Sequence, residues 1–128
     1  MDAESRAAVW RRADRRCENC HMSAEVWDQY TFHIEHIYAK KHGGSDDPQN
    51  LCLSCPECNW SKGVNLSGLV GDKIVPLFHP RRQAWDRHFA WDGPMLVGKT
   101  FCGKATISVL NINEPSRVEI RRMLMEVE

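Results

Sequence analysis

The chain has 128 residues, 42% of them hydrophobic and 27% charged, values of an ordinary folded domain that exclude wholesale disorder. No apolar run approaches the roughly 20 residues of a membrane span, and residues 1–16 lack the apolar core of a secretory signal, so the expected setting is the cytoplasm, with no membrane partner. Seventeen basic and seventeen acidic side chains cancel, which leaves any phosphate contact to local clusters and predicts modest, salt-sensitive affinity.

Residues 3–16 read as a helix, with Ala7, Ala8, Val9, Trp10 and Ala13 as apolar content and Arg11, Arg12, Arg15 and Arg16 crowding the rest. Such arginines are a solvated face or a phosphate contact with equal weight, as are Lys40, Lys41, Arg81, Arg82, Arg117, Arg121 and Arg122. Residues 30–37 alternate as a short strand carrying Tyr30, Phe32 and Ile34. Residues 40–50, dense in Gly, Asp, Pro and Asn, form a loop. A strand over residues 51–53 follows, then a helix over 56–63 with Pro56 in its first turn. Beyond it come a turn region at 64–73, a stretch through Trp91 without a clear period, and a hairpin-like Gly93–Thr100 segment. A helix over 101–111 comes next. A last helix follows Glu114-Pro115-Ser116, with an amphipathic face of Val118, Ile120, Met123, Leu124 and Val127. The expected fold is α+β: a strand, loop, strand, helix core at about 15–65, flanked by an N-terminal helix and a mostly helical C-terminal extension at 66–128, all in one domain.

Six cysteines in a small chain suggest a disulfide scaffold, but their spacing argues for a metal. Cys17-x-x-Cys20 and Cys55-x-x-Cys58, separated by a long insert, suit a tetrahedral structural zinc ion, Zn2+. Disulfides or free thiols are the alternative. Cys52-x-x-Cys55 is also a legal pair; Cys55 and Cys58 are preferred because Cys52 falls in the apolar strand, where a thiol packs like a small hydrophobe. Cys102 stands alone and reads as structural.

Between the cysteine pairs lie His33-Ile34-Glu35-His36-Ile37, Gly43-Gly44-Ser45 and Asn50-Leu51, and after them Asn59 and Lys62-Gly63. Hydrolysis of a phosphodiester requires an activated water, neutralised phosphate charge and help for the departing oxygen. An imidazole with an ordinary pKa of about 6.5 takes a proton from water near neutral pH. A carboxylate and an amide oxygen are hard ligands for Mg2+ or Mn2+. Glu35 and His36 are adjacent, so on a strand they point to opposite faces unless the backbone is twisted.

This segment resembles the HNH endonucleases, in their zinc-bearing, four-cysteine branch, with the ββα-metal or His-Me finger fold. The resemblance implies that His36 is the general base, Glu35 a metal-binding acid and Asn50 the loop-pinning middle residue. Asn59 takes the last position, as an oxygen ligand, in an H-N-N variant of the motif. It implies a DNA endonuclease with catalytic Mg2+ or Mn2+ and structural Zn2+. Cutting of both strands would require a homodimer or two encounters, and specificity is either low or supplied by a partner protein. His33 is either a support or substrate contact or merely structural; Lys62 is either a phosphate contact or a solvated helix-end lysine. Trp60 is core or interface. Pro76-Leu77-Phe78, Pro80-Arg81, Trp85, His88-Phe89, Gly98, Thr100, Gly103 and Ala105-Thr106 resemble the C-terminal extension of short bacterial stand-alone HNH proteins, while His79 and Cys102 depart from it. Arg81, Arg82, Trp85 and His88 line a substrate groove, or Trp85 and Phe89 form the core of a packed subdomain. A non-catalytic zinc module that binds nucleic acid or protein, and an RNA-directed nuclease, are the competing readings.

Overall fold

The computed structural model describes residues 1–26 and 32–127. Asp2 caps the first helix by accepting the Ser5 amide at 2.8 Å, and α1 (Ala3–Arg12) follows. The helix ends four residues earlier than its composition predicts. Asp14 and Arg15 adopt left-handed φ values of 53° and 56°, which no α-helix contains.

Strand β1 (His33–His36) pairs antiparallel with β2 (Leu51–Ser54), placing Glu35 opposite Cys52 and His36 opposite Leu51. Tyr30, expected at the start of the first strand, lies outside the described residues. The connecting loop holds two short 3-10 turns, Lys40–His42 and Pro48–Asn50. Helix α2 (Pro56–Lys62) starts on Pro56, whose missing N–H is no loss in a first turn, and ends before Gly63. Among the described residues, Val9, Phe32, Ile37, Leu51 and Leu53 are the buried apolar side chains of this region besides its cysteines.

The backbone divides into two compact units, Met1–Asn65 with His79–Arg82, and Leu66–Phe78 with Gln83–Glu128. In the second, the expected turn region is a hairpin of β3 (Ser67–Val70) and β4 (Lys73–Pro76), turning at Gly71 with φ of +62°. Helix α3 (Trp85–His88) leads into a second hairpin, β5 (Phe89–Asp92) and β6 (Met95–Gly98). Helix α4 (Phe101–Val109) is capped by Thr100, which accepts the Gly103 amide at 3.1 Å. Helix α5 (Pro115–Val127) begins on Pro115 itself. Two small hairpins therefore accompany the helices of the extension. Phe89 is buried here, with the half-buried Trp85 ring centre 5.2 Å away, and His88 is buried and bonded to Thr100 at 2.7 Å.

The face that α5 buries differs from the apolar one expected. Met123 and Val127 are 56% and 83% exposed, while Arg117 and Arg121 are buried. Arg117 donates to the Leu110 and Asn111 carbonyls at 2.7 and 3.1 Å, and Arg121 to the Pro94 carbonyl at 2.8 Å. The Leu110 carbonyl follows a helix end and the Pro94 carbonyl a turn, and the two guanidinium groups satisfy them; the Asn111 carbonyl also accepts the Glu114 amide at 3.2 Å. Neither arginine is a solvated or phosphate-facing charge. Among the described residues, no helix is long and apolar enough to cross a membrane.

Candidate active site and metal centre

Four cysteines converge where the segment after α1 meets the start of α2. The sulfurs of Cys17, Cys20, Cys55 and Cys58 all lie within 4.8 Å of one another, and all four residues are buried. Cys20 and Cys55 sulfurs are 3.7 Å apart; a tetrahedron with metal–sulfur bonds of about 2.3 Å has edges of about 3.8 Å. None of the six cysteines forms a disulfide, so no disulfide scaffold exists. Cys52 is fully buried in β2 and belongs to no such group, its thiol donating toward Glu35 Oε2 at 3.7 Å. Hydrogen bonds to Cys17 and Cys20, with burial added, hold the Cys55 and Cys58 thiols well above their ordinary range. Four thiolates this close therefore require a cation, and this soft donor set suits zinc.

The first cysteine pair is held in place by its neighbours. Glu18 N–H donates to the Leu53 carbonyl and Leu53 N–H to Glu18 Oε2, both at 2.9 Å. The other oxygen of Glu18 pairs with Arg81. Arg81 is thus engaged in an ion pair rather than exposed along a groove.

Strand alternation separates Glu35 from His36. Glu35 is 6% exposed, whereas His36 reaches the surface with its side chain 26% exposed. Lys62 Nζ lies 3.3 Å from Glu35 Oε2 and donates to the Ile37 carbonyl at 2.9 Å. Lys62 is itself 4% exposed, so it is neither a solvated helix-end lysine nor open to phosphate. Burial raises the Glu35 pKa, with the Lys62 charge opposing it. Its second oxygen, Oε1, is buried with no hydrogen-bond partner among the described residues. An orphaned carboxylate oxygen of this kind is a fitting donor for a hard cation. Asn59 is half-buried on α2, directly after Cys58 and three residues before Lys62, a spacing at which helical residues are neighbours on one face.

Asn50 ties the loop into a closed ring. Its Oδ1 accepts the Tyr38 amide at 2.8 Å, and its Nδ2 donates to the Tyr38 and Ser45 carbonyls at 3.0 and 2.8 Å. From α1, Arg12 donates to the Pro48 and Leu51 carbonyls at 3.0 and 2.6 Å, on either side of Asn50. A Cβ at Gly44 would overlap the Tyr38 carbonyl oxygen and approach Asn50 Nδ2 to 2.9 Å. The ring places Asp46 against His36, Oδ1 to Nε2 at 2.7 Å. His33 is exposed opposite Ser54, and no contact joins it to these residues among those described. Trp60 is 87% exposed, which excludes a core role.

Sequence reasoning passed over Asp46 and Tyr38. The one signal for Asp46 was a carboxylate in a loop that has to fold back over the end of β1. Tyr38 lines an open cleft of about 380 Å³ with Asn50, His79 and Arg82. Arg82 donates to the Tyr38 hydroxyl at 3.1 Å and lies 5.3 Å from its ring centre.

Residues 17–65 match the family model for HNH endonucleases. A curated relative, the Septu protein PtuB of Bacillus thuringiensis, is 28% identical over 120 residues, 92% of this chain. The chain spans 44% of that relative's length. No solved structure matches.

Proposed function

With the HNH endonuclease match over residues 17–65 as premise, we propose that the chain is a metal-dependent endonuclease that hydrolyses phosphodiester bonds of DNA in the cytoplasm, residues 66–128 extending its core. The observation that carries this reading is a buried acid with an unshared oxygen next in sequence to a surface-reaching imidazole, Glu35 then His36. Glu35 Oε1 and the Asn59 amide oxygen would hold a hard divalent cation, magnesium or manganese, which supplies charge neutralisation at the phosphate and the departing oxygen. His36 takes a proton from water, whose oxygen then bonds to phosphorus in line with the breaking bond to the 3′ oxygen. Asn50 keeps the loop closed over the imidazole.

Cys17, Cys20, Cys55 and Cys58 would hold zinc as a structural ion. Because Asn59 follows Cys58 directly, that cluster also fixes where the Asn59 amide stands. One such site cuts one strand, so a double-strand break takes a second copy or a second encounter. The test is incubation of the purified chain with supercoiled plasmid and with RNA, in magnesium or manganese, beside His36→Ala. Nicking of plasmid by the wild type and not by His36→Ala is the expected result. Equal nicking by both proteins overturns the reading, and cleavage of RNA alone moves the substrate to RNA.

A further inference from the structure

Asp46 has no part in the reading above, yet among the described residues its carboxylate is the polar partner of the His36 ring. Oδ1 lies 2.7 Å from Nε2. Lys40 flanks the same carboxylate, with Nζ 3.3 Å from Oδ1 and 3.4 Å from Oδ2. An ionised carboxylate only accepts, so Nε2 must carry the hydrogen, and a neutral imidazole carries just one. Nδ1 is then left with the lone pair and has no partner among the described residues.

The position of Asp46 is set by the backbone around it, which separates this contact from an ordinary surface ion pair. The Ser45 carbonyl before it is held by Asn50 Nδ2 at 2.8 Å. The Asp47 amide after it donates to Ser45 Oγ at 3.2 Å, and the Asp47 side chain caps the next turn through the Gln49 amide at 2.8 Å. An exposed pair adds little to stability, but a carboxylate delivered by a closed ring can select one orientation and one tautomer of the ring it meets. We infer that Asp46 is a positioning residue for His36, holding the ring through Nε2–H so that Nδ1 accepts the proton of the attacking water. The water proton goes to Nδ1 and the ring becomes an imidazolium. Nε2 keeps its hydrogen, Asp46 stays ionised, and the added proton later returns to solvent.

This inference rests on the nuclease reading, and its test separates the two. In protein labelled with nitrogen-15 at histidine, ring-nitrogen spectra recorded with His36 neutral report the tautomer directly. The wild type is expected to show Nε2–H at His36, and Asp46→Ala a mixture of tautomers. In plasmid nicking, Asp46→Ala is expected to lower kcat about ten- to hundredfold with KM within about twofold, the pattern of a group acting only in the transition state. Asp46→Glu should restore part of that loss. Lys40→Ala, which breaks only the flanking ion pair, should keep the wild-type tautomer and kcat.

An Nδ1–H tautomer in the wild type overturns the inference. So does unchanged kcat in Asp46→Ala while His36→Ala is inactive, or a loss in Lys40→Ala equal to that in Asp46→Ala. If the wild type cleaves no nucleic acid, the nuclease reading fails, and the tautomer spectra still decide the placement of the ring. Asp46 is 61% exposed in its side chain, and matched thermal melts establish that the variants remain folded.

Discussion

Replacing Cys58 with Ser removes one of the four sulfurs that meet at the start of α2, and its cost can be set from the first unit's own inventory. Outside the cysteines, the buried apolar side chains among the described residues of Met1–Asn65 are Val9, Phe32, Ile37, Leu51 and Leu53. At about 1.5–3 kcal/mol each, they contribute about 8–15 kcal/mol against the entropy of ordering the chain. A structural zinc ion in a small site contributes about 10–16 kcal/mol at neutral pH. The cluster is therefore worth as much as the whole apolar core around it, and a protein with a net stability of about 5–15 kcal/mol does not survive its loss intact. The expected result is one zinc per chain in the wild type by elemental analysis and less than half of that in Cys58→Ser. Circular dichroism should show early, non-cooperative melting of the variant, and of the wild type after prolonged chelation. Cys52→Ala, outside the cluster, should keep full zinc content. If Cys58→Ser or chelated protein melts within a few degrees of the wild type, the thiols need no ion and the reasoning fails.

Lys62→Met leaves the Glu35 carboxylate buried without its cation and the Ile37 carbonyl without its donor; the expected loss is about 3–5 kcal/mol in urea unfolding. Adding Glu35→Gln to that variant should recover part of the loss, and no recovery would show that the pair is not coupled. Arg117→Met should cost about 1–3 kcal/mol through the stranded Leu110 carbonyl, while the salt dependence of nucleic-acid binding stays unchanged; a shallower salt slope would assign Arg117 to phosphate after all. Burial, and then the Arg82 charge, hold the His79 pKa below its usual range. A base depressed in the fold contributes stability that is present above its ordinary value near 6.5 and lost as pH falls through the folded value. Acidification from pH 7 toward 5 should therefore lower the unfolding midpoint, and His79→Asn should flatten that decline; an equal decline in both proteins would refute it.

Helix α2 was legible because Pro56 and Gly63 bracket it, and the cysteine cluster because two C-x-x-C spacings carry ligand geometry in themselves. The motif residues on β1, the loop and α2 were legible by type, but their partners were not. Nothing local says that Lys62 will be buried against Glu35, since that follows from how α2 packs on β1. The end of α1 was overestimated because no glycine or proline marks it; two ordinary residues, Asp14 and Arg15, take the left-handed conformation instead. The β3–β4 hairpin had a usable signal, Gly71-Asp72 between Leu69-Val70 and Ile74-Val75, which suits a two-residue turn. It was masked because Leu69 and Ile74 are 65% and 77% exposed, so neither strand shows the clean alternation of a half-buried sheet. The burial of Arg117 and Arg121 was illegible for a related reason, as the Leu110 and Pro94 carbonyls they satisfy are brought to them only once the turns exist.

The two adjacent glycines of the loop constrain mutagenesis in unlike ways. Gly43, with φ of +91° and open space where a Cβ would go, limits a library by backbone shape, so asparagine is the substitution to try there. Gly44 limits it by volume: even alanine would wedge the Tyr38 carbonyl away from Asn50 and spring the ring that presents Asp46. A randomised loop screened for retained cutting should thus tolerate a few polar residues at the first position and return only the parental residue at the second.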